Sequence, residues 1–218
     1  FGERTGYGTS AFAARGMQIT PGYENCDLSM DPSGNIIAKV GVCSHGQGIA
    51  TTLSQIIADN LGLEIEQVSI VQGDTDNTPY GWGTFASRSV VISGGACQIS
   101  AQKLAEKLKK IASFYLQCEA DELILQNGSV VNKKTKSNLS LRTIGRKFYH
   151  SNHEIKDIAG SELRASSTYD PDGTFSNACH VAKVKIDTLT GNVSVEKYFV
   201  IEDAGKLINP KIVDGQIV

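Results

Sequence analysis

Two stretches of the sequence place glycine and hydroxyl-bearing residues directly before an expected helix. The first is Gly41-Val42-Cys43-Ser44-His45-Gly46-Gln47-Gly48, which follows a strand-like segment. The first turn of a helix carries backbone N–H groups without helical partners and the positive end of the helix dipole. Because the glycines keep bulky side chains away from those groups, the junction is suited to binding an anionic group such as a phosphate.

The second stretch is Gly81-Trp82-Gly83-Thr84-Phe85-Ala86-Ser87-Arg88-Ser89, which leads into the longest helical pattern of the chain. Its hydroxyl groups and the guanidinium of Arg88 are donors that can hold ligand oxygens. Two such junctions can share one ligand only if they meet in space. The sequence therefore predicts that residues 46–48 and 84–89 lie close together, both at helix N-termini that face one cleft.

Helix capping is an alternative explanation of both stretches. Ser44 and Gln47 have the spacing of a capping box, in which the two residues satisfy each other's backbone donors. Ser87 or Ser89 could be the N-cap of the second helix. Neither stretch contains a Walker loop or a Gly-x-Gly-x-x-Gly fingerprint, so the sequence gives no support for ordinary nucleotide binding.

Composition and charge exclude several classes of function. The 218 residues include 21 Lys and Arg against 23 Asp and Glu, a formal net charge of -2. Nucleic-acid binding needs a basic surface, so this balance argues against it. No apolar run approaches the roughly 20 residues that cross a bilayer, and the first residues lack the order of a signal peptide. We therefore expect a cytoplasmic protein with a small-molecule ligand, no nucleic-acid partner and no membrane span.

The five cysteines form no Cys-x-x-Cys pair of the kind that holds zinc or an iron–sulfur cluster. Cys43 and His45 are too few for a metal site, which normally needs four ligands. The sequence thus predicts no metal ligand from this chain.

Three motifs follow one another along the chain in an order that is more specific than any one of them. They are Gly46-Gln47-Gly48 before a helix, Val71-Gln72-Gly73-Asp74-Thr75-Asp76 followed by Gly83-Thr84-Phe85-Ala86-Ser87-Arg88-Ser89, and Glu202-Asp203-Ala204-Gly205-Lys206-Leu207-Ile208-Asn209-Pro210 followed by Gly215-Gln216. In this order the chain resembles, over nearly its whole length, the molybdopterin-binding part of the large subunit of molybdenum hydroxylases. That family includes xanthine dehydrogenase, aldehyde oxidase and aerobic carbon monoxide dehydrogenase.

The resemblance implies a molybdenum-pterin cofactor, either molybdopterin or its cytosine dinucleotide, and a role for each motif. Gln47 would hydrogen-bond the pterin beside the molybdenum ligands, the second motif would cradle the cofactor, and Gln216 would hold its far side. The implied cofactor-binding residues are Gly46, Gln47, Gly48, Thr84, Ala86, Ser87, Arg88, Ser89 and Gln216, and Phe85 would line the substrate side. The alternative for Phe85 is core packing.

No catalytic residue is expected in the chain. Turn and strand-end roles explain Asp74, Asp76, Glu202 and Asp203. In the family that the chain resembles, the catalytic base is a glutamate in a Gly-Val-Gly-Glu-Pro motif that follows the segment corresponding to Gly215-Gln216. The resemblance therefore implies that this glutamate would lie beyond Val218.

The implied activity is oxidation of an aldehyde, an N-heterocycle or carbon monoxide with oxygen derived from water. The glutamate motif and the family's upstream Gly-Gly-Gly-Phe-Gly motif are absent from these residues. We therefore expect a fragment of a larger subunit that is inactive alone. Its expected partners are the rest of the molybdenum subunit, iron–sulfur and FAD domains or subunits, and a small-molecule substrate.

Two other classes of function stay open at this point. One is a non-catalytic interaction or assembly module that retains the fold. The other is a phosphate-ligand enzyme unrelated to molybdenum, which only the paired helix N-termini suggest.

The elements that must position these motifs follow from hydrophobic periodicity and turn residues. We predict an α/β fold of the mixed α+β kind, with antiparallel strand pairs and two principal helices, the longest beginning near residue 87. Domain organisation is predicted as one molybdopterin-binding domain over 1–218, divisible into two lobes, 1–118 and 119–218. The predicted strands are 7–19, 27–31, 35–42, 68–71, 121–125, 129–131, 162–169, 177–187 and 192–203. The other predicted elements are a helix that ends at Gly62, a short helix over 139–149 and a mobile, polar connection over 151–161.

Overall fold

A computed structural model describes residues 2–160 and 162–217 and confirms the mixed α+β architecture. Strands form three separate sheets in the described part of the chain. The strands are β1 Gly2–Thr5, β2 Glu24–Met30, β3 Ile36–Val40, β4 Val68–Val71, β5 Leu123–Gln126, β6 Ser129–Asn132, β7 Asn138–Ser140, β8 Arg164–Tyr169, β9 Thr174–Ile186 and β10 Val193–Asp203. The α-helices are α1 Thr9–Ala14, α2 Ile49–Leu61, α3 Ser89–Leu116, α4 Leu141–His150, α5 Lys156–Ala159 and α6 Pro210–Ile217.

The central sheet has the strand order β4-β3-β2-β8. The β2–β3 hairpin closes through Asp31, whose carboxylate accepts hydrogen bonds from the backbone N–H groups of Ser33 and Asn35. β3 continues through α2 into β4, which pairs with it in parallel. Such a connection needs a helix to cross over the sheet, so α2 is placed on one face of it. The first loop of interest therefore lies between the end of β3 and the start of α2.

The core lies between this sheet and the two long helices, α2 and α3. Alternate residues of β2 are buried, as expected for a strand with one face in the core. The apolar side of α3 includes Leu104, Leu108 and Ile111, all fully buried. The C-terminal end of α2 is set by Gly62, which has a left-handed backbone conformation (φ 62°) as predicted for a glycine at that position. Together these contacts fix the start of α2 relative to the start of α3.

The other two sheets have the orders β5-β6-β7 and β1-β9-β10. The β5–β6 hairpin turns at Asn127 and Gly128, which both have positive φ, as predicted from that dipeptide. β2 pairs with β8, and β1 pairs with β9, so residues 1–118 and 119–218 share two sheets.

Two predictions about elements are wrong. Residues 7–19 do not form a strand, because the alanine-rich segment Thr9–Ala14 forms the short helix α1. Within residues 151–160, where a connection without regular structure is predicted, Lys156–Ala159 forms the short helix α5. Ile155 is buried in the core, and Glu154 accepts a hydrogen bond from the hydroxyl of Tyr115 on α3 at 2.9 Å. Burial, followed by this contact with Glu154, raises the pKa of Tyr115 to about 12.

A helix that crosses a lipid bilayer must be both long and predominantly apolar. Within residues 2–160 and 162–217, no helix combines the length and the hydropathy that this requires.

Candidate cofactor-binding site

The two glycine-rich loops meet at Thr84. Its hydroxyl accepts a hydrogen bond from the backbone N–H of Cys43 at 3.0 Å and donates one to the Cys43 carbonyl at 2.6 Å. The same hydroxyl accepts from the Ser89 hydroxyl at 3.1 Å. One side chain therefore ties the loop before α2 to the first residue of α3, and the structure brings together the two stretches that the sequence singled out.

The loop before α2 holds the Gln47 side chain in one orientation. Gln47 Oε1 accepts from the backbone N–H of His45 at 2.6 Å and from the Ser44 hydroxyl at 3.3 Å. The other end of the amide, Nε2, makes no hydrogen bond to any described residue. Because the oxygen is occupied inside the loop, Gln47 presents a donor rather than an acceptor to a ligand.

The capping-box interpretation of Ser44 and Gln47 is wrong. Helix α2 begins at Ile49, and its N-cap is Gly48 with φ 76° and no side-chain capping bond. The Ser44 hydroxyl accepts from the backbone N–H of Gly46 instead, within the loop itself. The two polar side chains thus shape the loop that precedes the helix and leave the first N–H groups of α2 without side-chain caps.

The loop before α3 has an unusual backbone. Ala86 and Ser87 both have positive φ, 47° and 56°, although neither is glycine. Left-handed conformations of this kind are disfavoured for residues with a β-carbon and persist only where surrounding contacts hold them. Both residues are exposed, and among the described residues neither backbone N–H has a hydrogen-bond partner. The backbone N–H groups of Ala86 and Ser87 are therefore not used within the described part of the chain, unlike those of Trp82 and Gly83.

The capping interpretation of this loop also needs correction. The N-cap of α3 is Arg88, without a side-chain capping bond, and neither Ser87 nor Ser89 takes that position. The reason is that the Ser89 hydroxyl is already bonded to Thr84, while Ser87 lies in the left-handed turn.

The guanidinium of Arg88 is directed into the protein, contrary to the expectation that it is free to hold ligand oxygens. Arg88 is 1% exposed and forms a buried ion pair with Glu24 of β2, with Nη1 and Oε1 2.5 Å apart. It also donates to the carbonyls of Gly22, Tyr23 and Gly83. The Arg88 guanidinium is therefore not available to a ligand, and the backbone N–H of Arg88 donates to the Phe85 carbonyl.

Glu24 is the residue of this region that the sequence analysis missed. Its Oε1 accepts from the backbone N–H groups of Trp82 and Gly83 as well as from Arg88. A signal for it is present in the sequence. Glu24 lies in phase with Cys26, Leu28 and Met30 on the buried side of β2, and an ionised residue at a core position requires a partner.

Two glycines make room for the Glu24 carboxylate. A β-carbon on Gly41 would lie 2.7 Å from Glu24 Oε2, and one on Gly81 would overlap with the same oxygen. The two glycine backbones also approach each other closely. The ends of β3 and of the 81–89 loop are therefore packed around one buried carboxylate.

Phe85 lies between two partners. The Arg88 guanidinium carbon is 5.1 Å from the centre of the Phe85 ring, and the ring of Phe12 on α1 is 6.3 Å away, centre to centre. Phe85 is half-buried, so packing against these two side chains accounts for part of the ring and leaves part of it exposed. The helix that replaced the predicted first strand thus contributes Phe12 to the support of this loop.

The third motif reaches the same region through α6. Asn209 donates to Gln55 of α2 at 2.9 Å, and Ile212 packs against Gly48 at the N-terminus of α2. Helix α6 therefore runs antiparallel to α2. Gln216 is exposed and lies about one turn beyond Ile212, which carries it past the first turn of α2.

The carboxylates of the intervening loop serve the turn. Asp74 accepts hydrogen bonds from the Asn77 side chain and from the backbone N–H groups of Asp76 and Asn77. The bond from the Asn77 side chain, followed by that from Asp76, holds the pKa of Asp74 below its usual range. No three His, Cys, Asp or Glu side chains come together as a metal site within residues 2–160 and 162–217.

The expected position of the catalytic glutamate falls at the edge of what the structure describes. The resemblance implies that this residue lies beyond Val218, and Val218 itself lies outside the described residues. The absence of a catalytic residue from the chain therefore stays a prediction.

The sequence matches a known protein family. The profile of the molybdopterin cofactor-binding domain matches residues 2–218. The chain belongs to this family. Because the match runs through all three motifs, the chain is a molybdopterin-binding domain of the xanthine dehydrogenase and carbon monoxide dehydrogenase group.

Curated relatives of the molybdopterin-binding domain include two at 34% identity. One is the carbon monoxide dehydrogenase large chain of Hydrogenophaga pseudoflava, similar over 197 residues that cover 89% of this chain and 24% of the relative. The other is the nicotine 6-hydroxylase large subunit of Paenarthrobacter nicotinovorans, similar over 222 residues that cover 100% of this chain and 27% of the relative. The chain spans about a quarter of the length of these relatives.

Solved structures show the same fold. Quinoline 2-oxidoreductase from Pseudomonas putida 86 superimposes with a TM-score of 0.92 at 34% identity, covering 100% of this chain and 28% of that one. A Cu,Mo-containing carbon monoxide dehydrogenase superimposes with a TM-score of 0.88 at 30% identity, covering 100% and 27%.

The donors present at the loop junction are of the kind that a pterin cofactor needs. They comprise the Gln47 Nε2 amide, the backbone N–H groups of Ala86 and Ser87, and the Ser87 hydroxyl. The space beside them is open, because a β-carbon on Gly46 or Gly83 would meet no atom within 4 Å. A cleft of about 430 Å³ lined by Asp27 and other residues lies elsewhere, on the far side of the central sheet.

Proposed function

We propose that this domain supplies part of the cofactor pocket of a molybdenum hydroxylase, an enzyme that oxidises its substrate with oxygen derived from water. The observation that carries the proposal is the junction at Thr84, which brings uncapped donors of two helix N-terminal loops to one place. Similar proteins support it. They include a carbon monoxide dehydrogenase, a nicotine 6-hydroxylase and a Cu,Mo-containing carbon monoxide dehydrogenase.

The residues have distinct proposed roles. Gln47 donates from Nε2, oriented by its own bonded oxygen, and Ala86 and Ser87 donate from their left-handed backbone. Gln216 binds the cofactor from the end of α6. The other implied cofactor-binding residues contribute backbone groups or the shape of the pocket. They are Gly46, Gly48, Thr84, Arg88 and Ser89. When bound, the molybdenum-pterin cofactor supplies the redox and oxygen-transfer chemistry.

The substrate proposed is a small molecule of one of three kinds: an N-heterocycle, an aldehyde or carbon monoxide. Two similar proteins are named for an N-heterocycle, nicotine or quinoline, and two others for carbon monoxide. Phe85 is half-buried, and the exposed part of its ring is the surface proposed to contact the substrate. The remaining part of the molybdenum subunit and iron–sulfur and FAD domains or subunits are the proposed partners.

The test is a comparison of cofactor content in the complete protein and in its Gln47→Glu variant. This substitution keeps an oxygen for the His45 N–H and the Ser44 hydroxyl but replaces the Nε2 donor with a second oxygen. A buried hydrogen bond that loses its donor costs about 1–3 kcal/mol. We therefore expect the affinity for the cofactor to fall about 5- to 150-fold, with lower molybdenum and pterin retention and a melting temperature close to that of the unmodified protein.

The matched control is Gln126→Glu, which makes the same change at an exposed position at the end of β5. It should leave both the metal content and the melting temperature unchanged. A complete protein that contains neither molybdenum nor pterin would contradict the proposed function and favour an assembly module. Full retention of molybdenum and pterin by the Gln47→Glu variant would instead show that Gln47 does not bind the cofactor.

A further inference from the structure

We propose that the buried Glu24–Arg88 ion pair is a positioning device that holds residues 84–87 in the conformation that receives the cofactor. This inference rests on the proposed function for the identity of the ligand. Both residues are positioning residues, since their side chains are buried and contact the loop rather than the space beside it.

The hydrogen bonds of the pair fasten the loop on both sides of residues 84–87. On the N-terminal side, Glu24 Oε1 accepts from Trp82 and Gly83 at 3.0 and 3.1 Å, and Arg88 Nη1 donates to the Gly83 carbonyl at 2.6 Å. On the C-terminal side, Arg88 is itself the residue that precedes α3. The two ends of the segment are thereby fixed against β2.

The segment between these ends is the part that requires support. Ala86 and Ser87 are exposed and left-handed, and such conformations persist where neighbouring structure imposes them. Residues 86 and 87 make no side-chain or backbone hydrogen bond within the described part of the chain. Their conformation is therefore imposed through the fixed ends and through Thr84.

Stability of the core alone is a poor explanation for the ion pair. Burying two charges costs desolvation free energy, and well-packed apolar residues often replace such pairs without loss of stability. Glu24 Oε2 and Arg88 Nε are also buried without a hydrogen-bond partner among the described residues. The charged pair orients the backbone around it, because the planar guanidinium of Arg88 donates to three backbone carbonyls and one carboxylate in a fixed geometry.

The same device places the Phe85 ring. The Arg88 guanidinium lies over that ring, with Phe12 beside it. Displacing Arg88 would consequently move both the backbone donors proposed for the cofactor and the aromatic face proposed for the substrate.

The test uses the complete protein with the double substitution Glu24→Gln and Arg88→Met. The Gln oxygen can still accept from Trp82 and Gly83, and Met fills much of the arginine's volume, so that no lone charge is left buried. We expect a folded protein with a lower melting temperature, because the carbonyls of Gly22, Tyr23 and Gly83 lose their donor. In the cofactor-free form, the amides of Trp82 and Gly83 should exchange roughly tenfold faster, because Arg88 no longer holds in place the side chain at position 24 that accepts from them.

The cofactor-loaded form gives two further measurements. Molybdenum content should fall by at least roughly fivefold, and the electron paramagnetic resonance signal of the remaining Mo(V) should change, because its surroundings are reordered. The control is Glu122→Gln with Lys134→Met, which removes an ion pair on the surface, far along the chain from the loops. It should change none of these quantities.

The outcomes separate this inference from the proposed function. Unmodified protein without molybdenum would contradict the proposed function, and hydrogen exchange in the cofactor-free form would still decide the role of the pair. Unchanged exchange, molybdenum content and signal in the folded double variant would overturn the inference. If the double variant does not fold, Arg88→Lys, which keeps the charge but not the fork, takes its place. Loss of the fold in that variant as well would show that the pair supports the whole domain, and would also overturn the inference.

Discussion

Three side chains that residue type alone suggests as ligand-binding form hydrogen bonds within the protein instead. They are Thr84, Arg88 and Ser89. The Thr84 hydroxyl bonds to the Cys43 backbone and accepts from the Ser89 hydroxyl, and the Arg88 guanidinium bonds to Glu24. The donors that remain for a ligand are the backbone N–H groups of Ala86 and Ser87, the Ser87 hydroxyl and the Gln47 amide. Residue type therefore indicates the right loop, whereas the hydrogen-bond partners determine which atoms of that loop can bind.

Gly81 offers a test of the packing around the buried carboxylate. The Gly81→Ala variant should destabilise the domain by about 1–3 kcal/mol, because the new β-carbon would overlap with Glu24 Oε2 and the surrounding loop must shift. Urea unfolding measures the change. The control is Gly215→Ala in α6, where a β-carbon meets no described atom within 4 Å. Equal stability of the two variants would contradict the close approach of Gly81 to Glu24.

The Glu24–Arg88 pair and the turn at Ala86 and Ser87 can be predicted from the sequence only in part. Glu24 could have been recognised from its phase with Cys26 and Leu28, but its partner could not, because Arg88 is distant along the chain. The positive φ of Ala86 and Ser87 has no signature in residue type, since left-handed turns are typically marked by glycine or asparagine. These two positions depend on tertiary contacts alone.

Among the elements, those with strong local signals were predicted correctly. The β2–β3 and β5–β6 hairpins each carry a turn that residue type specifies, and α3 has a long apolar stripe. The segment that forms α1 was mistaken for a strand, because six residues give too little periodicity to distinguish the two. Strand pairing was harder to predict from the sequence. The β3–β4 pair is parallel, which only the helix between the two strands explains.

The packing of α3 against β8 depends on a glycine inside the helix. A β-carbon on Gly95 would overlap with the ring of Tyr169. Alanine improves helix propensity by about 1 kcal/mol, whereas overpacking costs about 1–3 kcal/mol. We therefore expect Gly95→Ala to lower the free energy of unfolding, as measured in urea. Gly95→Ala combined with Tyr169→Leu should restore much of it, and a Gly95→Ala variant that is more stable than the unmodified domain would show that the predicted clash is relieved without cost.

For the whole molecule, the three motifs come together because the chain returns twice to the central sheet and its helices. β8 pairs with β2, and α6 docks on α2, so that residues more than 150 positions apart in sequence meet at Gln55 and Asn209. The order of the motifs is visible in the sequence, and the two glycine-rich junctions before helices predict that residues 46–48 and 84–89 meet. Only the resemblance to a family implies that Gln216 joins them, and the contacts at Thr84 and Gly48 give these expectations a physical basis.

The β9–β10 ribbon exposes a row of apolar side chains on one face. Val184 lies opposite Val195, and Ile186 lies opposite Val193, with exposures of 46%, 62%, 57% and 63% in that order. Residues two apart on a strand share a face, so these four side chains form one contiguous patch. Exposed apolar patches on a sheet with free strand edges promote association. The isolated 218-residue chain should therefore self-associate with increasing concentration.

Substitution within the patch should reduce that association. Val184→Lys places a charge at its centre, and light scattering should give a lower weight-average mass than for the unmodified chain at the same concentration. The control is Thr190→Lys, which adds the same charge in the turn between β9 and β10, away from the four side chains. Equal masses for the two variants would mean that net charge, rather than the apolar face of the ribbon, governs association. A lower mass for Val184→Lys alone would identify that face as the surface through which the isolated chain self-associates.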